Sequence, residues 1–324
     1  MTVGYTAPMT GVISITDWNW FQFLRAEPDL DEVNFWRPSD RSRPSWAPGT
    51  PIIFKLKQSH GGQIVGYGIF TTPSVQPAWV VWETLERRNG AASFAEFHGM
   101  LSAIRGSKGI ASDPAGTYEI GCLMLSAPLF LERDLWIAPP RDWPPSGIMQ
   151  GKSYDLTRGE GERVWRQCLA ATPPLPAAVV TATSVGETSA ARYGQPALIA
   201  PRLGQGAFRF AVADAYGRAC AVTNEHSRPV LEAAHIRPYA EDGPHSVANG
   251  VLLRSDIHRL FDKGYVTVSP DDRRFVVSRR LKDEYENGKT YYALEGTVLH
   301  EPLAAANRPA REYLEWHAHE RFRG

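Results

Sequence analysis

Residues 231–263 read "LEAAHIRPYAEDGPHSVANGVLLRSDIHRLFDK" and constrain the fold more than any other stretch of the chain. Two short apolar runs, "LEAAHI" and "GVLLRS", have strand length. The polar segment between them holds Asp-Gly and Asn-Gly, both turn dipeptides. "SDIHRLFDKG" then predicts a helix, with Ser255 as N-cap and Gly264 as C-terminal stop. A strand–loop–strand–helix sets the end of the first strand against the helix. It therefore gathers His235 at the strand end, Asn249 ahead of Gly250, and His258 in the first helical turn. Hydrolysis of a phosphodiester needs such a set: a base for water, a cation to stabilise phosphate charge, and a group that fixes the tautomer of the basic imidazole. His245 and His226 read as loop residues, and Asp262 as a local cap or pair.

The spacing carries a family resemblance. Asn249 stands fourteen positions after His235, and His258 nine after Asn249. Together with His-Ile-x-Pro, Asn-Gly and Asp-x-His-Arg-Leu-Phe-Asp, this resembles the HNH nuclease motif, the ββα-metal fold. The lead-in "RLGQGAFRFAVADAYGRACAVTN" is similar to that of bacterial HNH proteins of the restriction type. The resemblance implies that His235 is the general base, that Asn249 orders the loop, and that His258 binds a divalent cation, Mg²⁺ or Mn²⁺, or another transition metal. It also implies Asp256 as a helper near the metal, a role no stronger than that of a plain charge in the first helical turn. Many such enzymes carry an Asp just before the base, where this chain has Ala234. The cation would then rely more on His258, phosphate oxygens and water, or on an acidic neighbour such as Glu232 or Asp256, and strand alternation points Glu232 and His235 to opposite faces. Weak metal affinity is the expectation. Arg202, Gln205, Arg254, Arg259 and Lys263 are the candidates for the DNA backbone.

Around this motif, "FRFAVADAYG" reads as a strand, "CAVTN" as a turn and "YVTVSPDDRRFVVS" as a closing hairpin. Upstream, "TDWNWFQFLRAE" and "SFAEFHGMLSAIR" have helical spacing. "APGTPIIFKLKQSHGGQIVGYGIFTT" reads as turn, strand, Gly-Gly turn, strand, and "YEIGCLMLSAPLFL" as another strand. The segment "EVNFWRPS", followed by this Pro-Gly turn and Gly-rich strand, resembles PUA-like domains of the EVE/ASCH/YTH group over roughly residues 10–135. That resemblance implies a curled β-barrel with helices, whose aromatic pocket takes up a modified base flipped from the stack. Trp36 and Trp46 are the first candidates, with Trp18 and Trp20 behind them and Asn34, Ser39 or Asp40 reading the base edge. Core packing is the ordinary use of any one of these aromatics.

The expected class is thus α+β: a reader domain over 1–160, a helix and Pro/Ala-rich linker over 161–195, and the HNH domain over 196–324. The implied partner is double-stranded DNA carrying 5-methyl- or 5-hydroxymethylcytosine, cut on both strands by a homodimer. An HNH nuclease of unmodified DNA, and a reader whose nuclease half is degenerate at Ala234, are the competing readings. The 35 basic and 35 acidic side chains balance, so any DNA-binding face is local. Three dispersed cysteines without a Cys-x-x-Cys pair argue against a zinc ribbon and for a reducing compartment. With no secretory pattern at the N-terminus and no apolar run of spanning length, the expected location is the cytoplasm.

Overall fold

The computed structural model describes residues 9–39, 44–144, 151–172 and 203–324. Asp40, Arg202 and the Pro/Ala-rich part of the expected linker lie outside them. The chain divides into two compact units, Met1–Pro201 and Arg202–Gly324.

The N-terminal unit is built on a six-stranded sheet: β1 (Thr10–Thr16), β2 (Glu32–Asn34), β3 (Pro51–Leu56), β4 (Ile64–Pro77), β5 (Glu119–Phe130) and β6 (Gly151–Asp155). Its order is β2-β5-β4-β3-β1-β6. β1 and β3 run parallel, and the other neighbours are antiparallel. Helices α1 (Trp18–Arg25), α2 (Ala78–Leu85), α3 (Phe94–Ser107) and α4 (Gly159–Ala170) complete the unit. "PIIFKL" is buried at every position because both sheet faces are covered. Ile52, Phe54 and Leu56 pack with Trp20, Phe21 and Leu24 of α1. Ile53 packs on the opposite face with Val164, Trp165 and Cys168 of α4.

Register shifts along β3–β4 and twice along β4–β5 curl the sheet. At Gly66 a Cβ would sit 2.1 Å from the Leu129 carbonyl oxygen, so the strands approach there only without a side chain. The curl does not close into the expected barrel. Among the described residues β2 and β6 are the sheet edges and do not pair with each other.

The C-terminal unit opens with helix α5 (Gln205–Ala215), where a strand was expected. Phe208, Phe210 and Val212 alternate and so mimic a period of two. Yet Phe208 and Val212 are also one helical turn apart, and the alanines between and after them are strong helix formers. A two-stranded antiparallel ribbon follows, β7 (Leu231–His235) with β8 (Gly250–Arg254), then α6 (Ser255–Asp262). The hairpin β9 (Val266–Val268) and β10 (Phe275–Val277) and the short helices α7 (Arg280–Tyr285), α8 (Lys289–Tyr292) and α9 (Arg311–Trp316) close the unit. Phe208, Val212, Ala234, Ile236, Ile257 and Phe261 share one core. Arg254, not Ser255, is the cap residue of α6, and no side chain caps it. Gly264 stops the helix at φ 75°, where a Cβ would lie 2.0 Å from the Arg321 carbonyl oxygen.

Candidate active site

The register of the ribbon sets the site. His235 faces Gly250, and the Ile236 N–H donates to the Asn249 carbonyl at 2.9 Å. Asn249 is fully buried. Its amide accepts from the Arg237 N–H at 2.9 Å and donates to the carbonyls of Arg237 at 2.9 Å and Pro244 at 3.0 Å. The side chain thus takes over the hydrogen bonding of the loop that follows His235.

Helix periodicity arranges the other half. Ile257 and Phe261 point into the core, one turn apart. His258 and Asp262 are also one turn apart, and their side chains meet, Nε2 to Oδ2 3.4 Å. Glu232 reaches the same ring from β7, Oε2 to Nδ1 2.6 Å. Burial alone would lower the pKa of His258, but the hydrogen bonds its ring donates to Asp262 and Glu232 outweigh it and raise the value.

Between β7, α5 and α6 lies a cleft of about 320 Å³, lined by Gln205, Phe208, Arg209, His235, His258 and Asp262 among others. The His235 ring stacks on Phe208 with centroids 3.8 Å apart and planes 13° from parallel. Burial, with His245, His258 and Arg209 nearby, pushes its pKa down to about 4. The imidazole is therefore neutral at ordinary pH, the state a base requires.

Several expectations are corrected. Asp256 does not line the cleft. Two positions from His258 it projects from another side of the helix. There Arg254 grips it through two nitrogens at 2.7 Å, and Tyr291 donates to it at 3.3 Å. Arg254 thereby holds its carboxylate on the protein. Glu232 does reach His258, because its long side chain spans what alternation of the strand would separate. His245 is no bystander, since its Nδ1 lies 2.9 Å from Nε2 of His235. Ala234 is fully buried and packs in the core of the unit. Of the proposed phosphate contacts, Gln205 lines the cleft, while Arg259 and Lys263 are exposed on or just beyond α6. Arg209 was missed because its segment was read as a strand. On a helix it shares a face with Gln205, one turn earlier.

The donors suit a divalent cation in kind: an imidazole and two carboxylates, borderline and hard ligands. They converge on the His258 ring rather than on a common point, and among the described residues no three His, Cys, Asp or Glu side chains form a ready cage. A cation would enter in place of the proton shared between ring and carboxylate.

In the N-terminal unit a smaller hollow, about 170 Å³, is lined by Ser14, Asp17, Trp20, Phe35, Trp36 and Lys57 among others. Asp17 caps α1, accepting from the Asn19 and Trp20 N–H groups. The Trp20 indole donates to the Asn34 carbonyl at 3.1 Å and that of Trp36 to the Asn89 carbonyl at 2.9 Å, which fixes both rings. Trp18, Trp46, Asn34 and Ser39 are not among its lining residues. Trp18 stacks on His60, Trp46 meets Phe70 edge-on, and the buried Asn34 amide donates to Asn89. Tertiary packing claimed these side chains. Nothing in their local sequence separates them from Trp20 and Trp36.

Residues 220–269 match the HNH endonuclease family. The C-terminal unit thus carries an HNH endonuclease domain, and the chain is a nuclease, a hydrolase of phosphodiester bonds. Among solved structures the chain is similar to one described as "Modification dependent TagI restriction endonuclease". The match has 13% sequence identity and a TM-score of 0.27, and covers 96% of this chain and 81% of that one. So low a score carries no argument about the fold. No curated protein matches the sequence significantly.

Proposed function

We propose that the chain is a modification-dependent DNA endonuclease, in which the N-terminal unit reads a modified cytosine and the HNH domain cuts nearby. The observation that carries the nuclease half is the cleft, where a neutral, stacked His235 faces the Glu232–His258–Asp262 cluster. The reader half rests on the PUA-like resemblance and on the hollow in the N-terminal unit. There Trp20 and Phe35 meet edge to face at 5.3 Å beside Trp36, forming aromatic walls suited to one planar base. Asp17 and Lys57 supply polar groups at its rim.

In the reaction, His235 takes the proton of the attacking water. Asn249 keeps the loop behind it in place, and Phe208 keeps the ring from turning. Arg209 in the cleft and the exposed Arg259 and Lys263 are positioned for phosphate oxygens. Mg²⁺ or Mn²⁺ held by Nε2 of His258 with Asp262 would supply charge stabilisation at the phosphate, while Glu232 fixes the ring through Nδ1. Glu232 and Asp262 weigh against the degenerate-nuclease reading, since carboxylates reach His258 without one at Ala234. One domain cuts one strand, so a double-strand break takes two copies on the DNA, and a homodimer is the simplest arrangement. No helix among the described residues is long and apolar enough to cross a membrane. We place the enzyme in the cytoplasm, with cellular DNA.

The test is incubation with unmodified, 5-methylcytosine and 5-hydroxymethylcytosine DNA, each with Mg²⁺, Mn²⁺ or chelator. Metal-dependent cutting of modified DNA alone is expected. Equal cutting of all three would remove the reader, and no cutting under any condition would remove the nuclease.

A further inference from the structure

We infer that His245 is a positioning residue for the cleavage reaction, the acceptor that holds His235 in its Nε2–H tautomer and leaves Nδ1 as the base. The inference rests on the assignment of His235 as the base. Nε2 of His235 and Nδ1 of His245 are 2.9 Å apart, so one hydrogen lies between two ring nitrogens. Two arrangements exist when both rings are neutral. If His245 donated, the hydrogen of His235 would sit on Nδ1 and the Nε2 lone pair would be spent on His245. Neither nitrogen could then accept a proton from water. If His245 accepts, His235 carries its hydrogen on Nε2, and Nδ1 keeps its lone pair. Nδ1 has no hydrogen-bond partner among the described residues, and the ring lines the cleft. Only the second arrangement makes a base.

The surroundings hold the His245 ring where its Nδ1 can take that hydrogen. Its ring stacks on Tyr239, with centroids 4.6 Å apart and planes 8° from parallel. It meets the His235 ring at 61° with centroids 5.0 Å apart, the approach of an in-plane hydrogen bond to a second ring. The loop that carries it is held at its base by Asn249, through the Pro244 carbonyl next to His245. In the reaction the O–H bond of water breaks, its proton forms the Nδ1–H bond of His235, and the electron pair stays on the attacking oxygen. The resulting imidazolium already donates its Nε2–H to His245, which stabilises the positive charge as it develops. His245 touches neither water nor phosphate.

Two measurements test this. Long-range ¹H–¹⁵N correlation on metal-free, histidine-labelled protein at neutral pH reads the tautomer directly. The expected result is Nε2–H for His235; an Nδ1–H pattern overturns the inference without any variant. Single-turnover cleavage is then compared across variants, on whichever DNA the wild type cuts. His245→Ala should lower the cleavage rate roughly 10- to 100-fold at unchanged DNA affinity, part of the 10²–10⁴ that a general base contributes. His245→Asn places an amide oxygen where Nδ1 stands and should recover most of that loss. A His245→Asn variant no better than His245→Ala, in folded protein, would refute the acceptor role. His235→Ala serves as the control on the underlying assignment: if it still cuts, the base lies elsewhere and His245 has nothing to position. If His235→Ala is dead while His245→Ala is fully active, the base stands and the inference alone falls.

Discussion

Truncating Asn249 to alanine tests how the loop behind the base is held. The side chain is fully buried and makes three hydrogen bonds, all to backbone groups of residues 237 and 244. The Pro244 carbonyl keeps a second donor, the Ser246 N–H at 2.9 Å. The Arg237 N–H and carbonyl lose the partner given to them by Asn249. At about 1 kcal/mol net per hydrogen bond, and more for each buried group left unmatched, the cost comes to roughly 2–4 kcal/mol. Hydrogen-exchange mass spectrometry on the full chain reads this locally, in peptides covering β7 and β8. Protection there should fall by roughly 30- to 700-fold, at 1.4 kcal/mol per tenfold. Asn249→Asp is the discriminating partner. It keeps the acceptor for the Arg237 N–H but turns a carboxylate oxygen toward two carbonyls, so it should be at least as damaging as alanine. Unchanged protection in Asn249→Ala, or a milder effect from aspartate than from alanine, would refute the reasoning.

Three further expectations concern the same domain. Gly250→Ala would set a Cβ 2.5 Å from Val212 Cγ2 and 3.0 Å from the Phe208 ring, an overpacking worth about 1–3 kcal/mol. Because Phe208 backs His235, the cleavage rate should drop by more than the lost folded fraction; a melting temperature and rate equal to wild type would show that the core yields freely. Asp262→Asn should raise the metal concentration for half-maximal cleavage by roughly 10- to 100-fold, whereas Asp256→Asn, away from the cleft, should shift it far less. The opposite order in a metal titration would return Asp256 to the site. His317 is 2% exposed and stacks on Phe261, and its Nδ1 lies 2.8 Å from the Thr267 hydroxyl. Burial pushes its pKa from 6.5 to about 4. The unfolded chain then binds this proton more readily, so stability is complete above pH 6.5 and is lost as pH falls toward 4, by up to roughly 3 kcal/mol. Urea titrations of wild type and His317→Gln across that window check it: the slope with pH should flatten in the variant, and an equal slope in both would assign the acid sensitivity to other groups.

The order of strand, loop, strand and helix over residues 231–263 was legible in the sequence, because each element is marked locally. The apolar runs set the strands, the Asn-Gly sets the loop end, and Gly264 stops the helix. With them came the approximate convergence of His235, Asn249 and His258, since a ribbon folded against a helix leaves little freedom. The helix at 205–215 was misread because Phe208, Phe210 and Val212 satisfy two periods at once. Only packing against the ribbon decides between them.

What lay beyond the sequence was which polar neighbours meet these three residues. Asp256 and Asp262 look equivalent as acids near His258, yet the helical turn and the grip of Arg254 separate their fates. Glu232 and His245 enter the site through contacts 26 and 10 positions along the chain from His258 and His235, and Arg209 lines the cleft from 26 positions before His235. Such contacts depend on how elements approach each other, and local composition carries no trace of them. The same holds for the aromatic residues of the N-terminal unit. Their abundance is written in the sequence, but whether a tryptophan becomes a wall of a hollow, like Trp36, or a packing partner, like Trp46, is decided by the curl of the sheet beneath it.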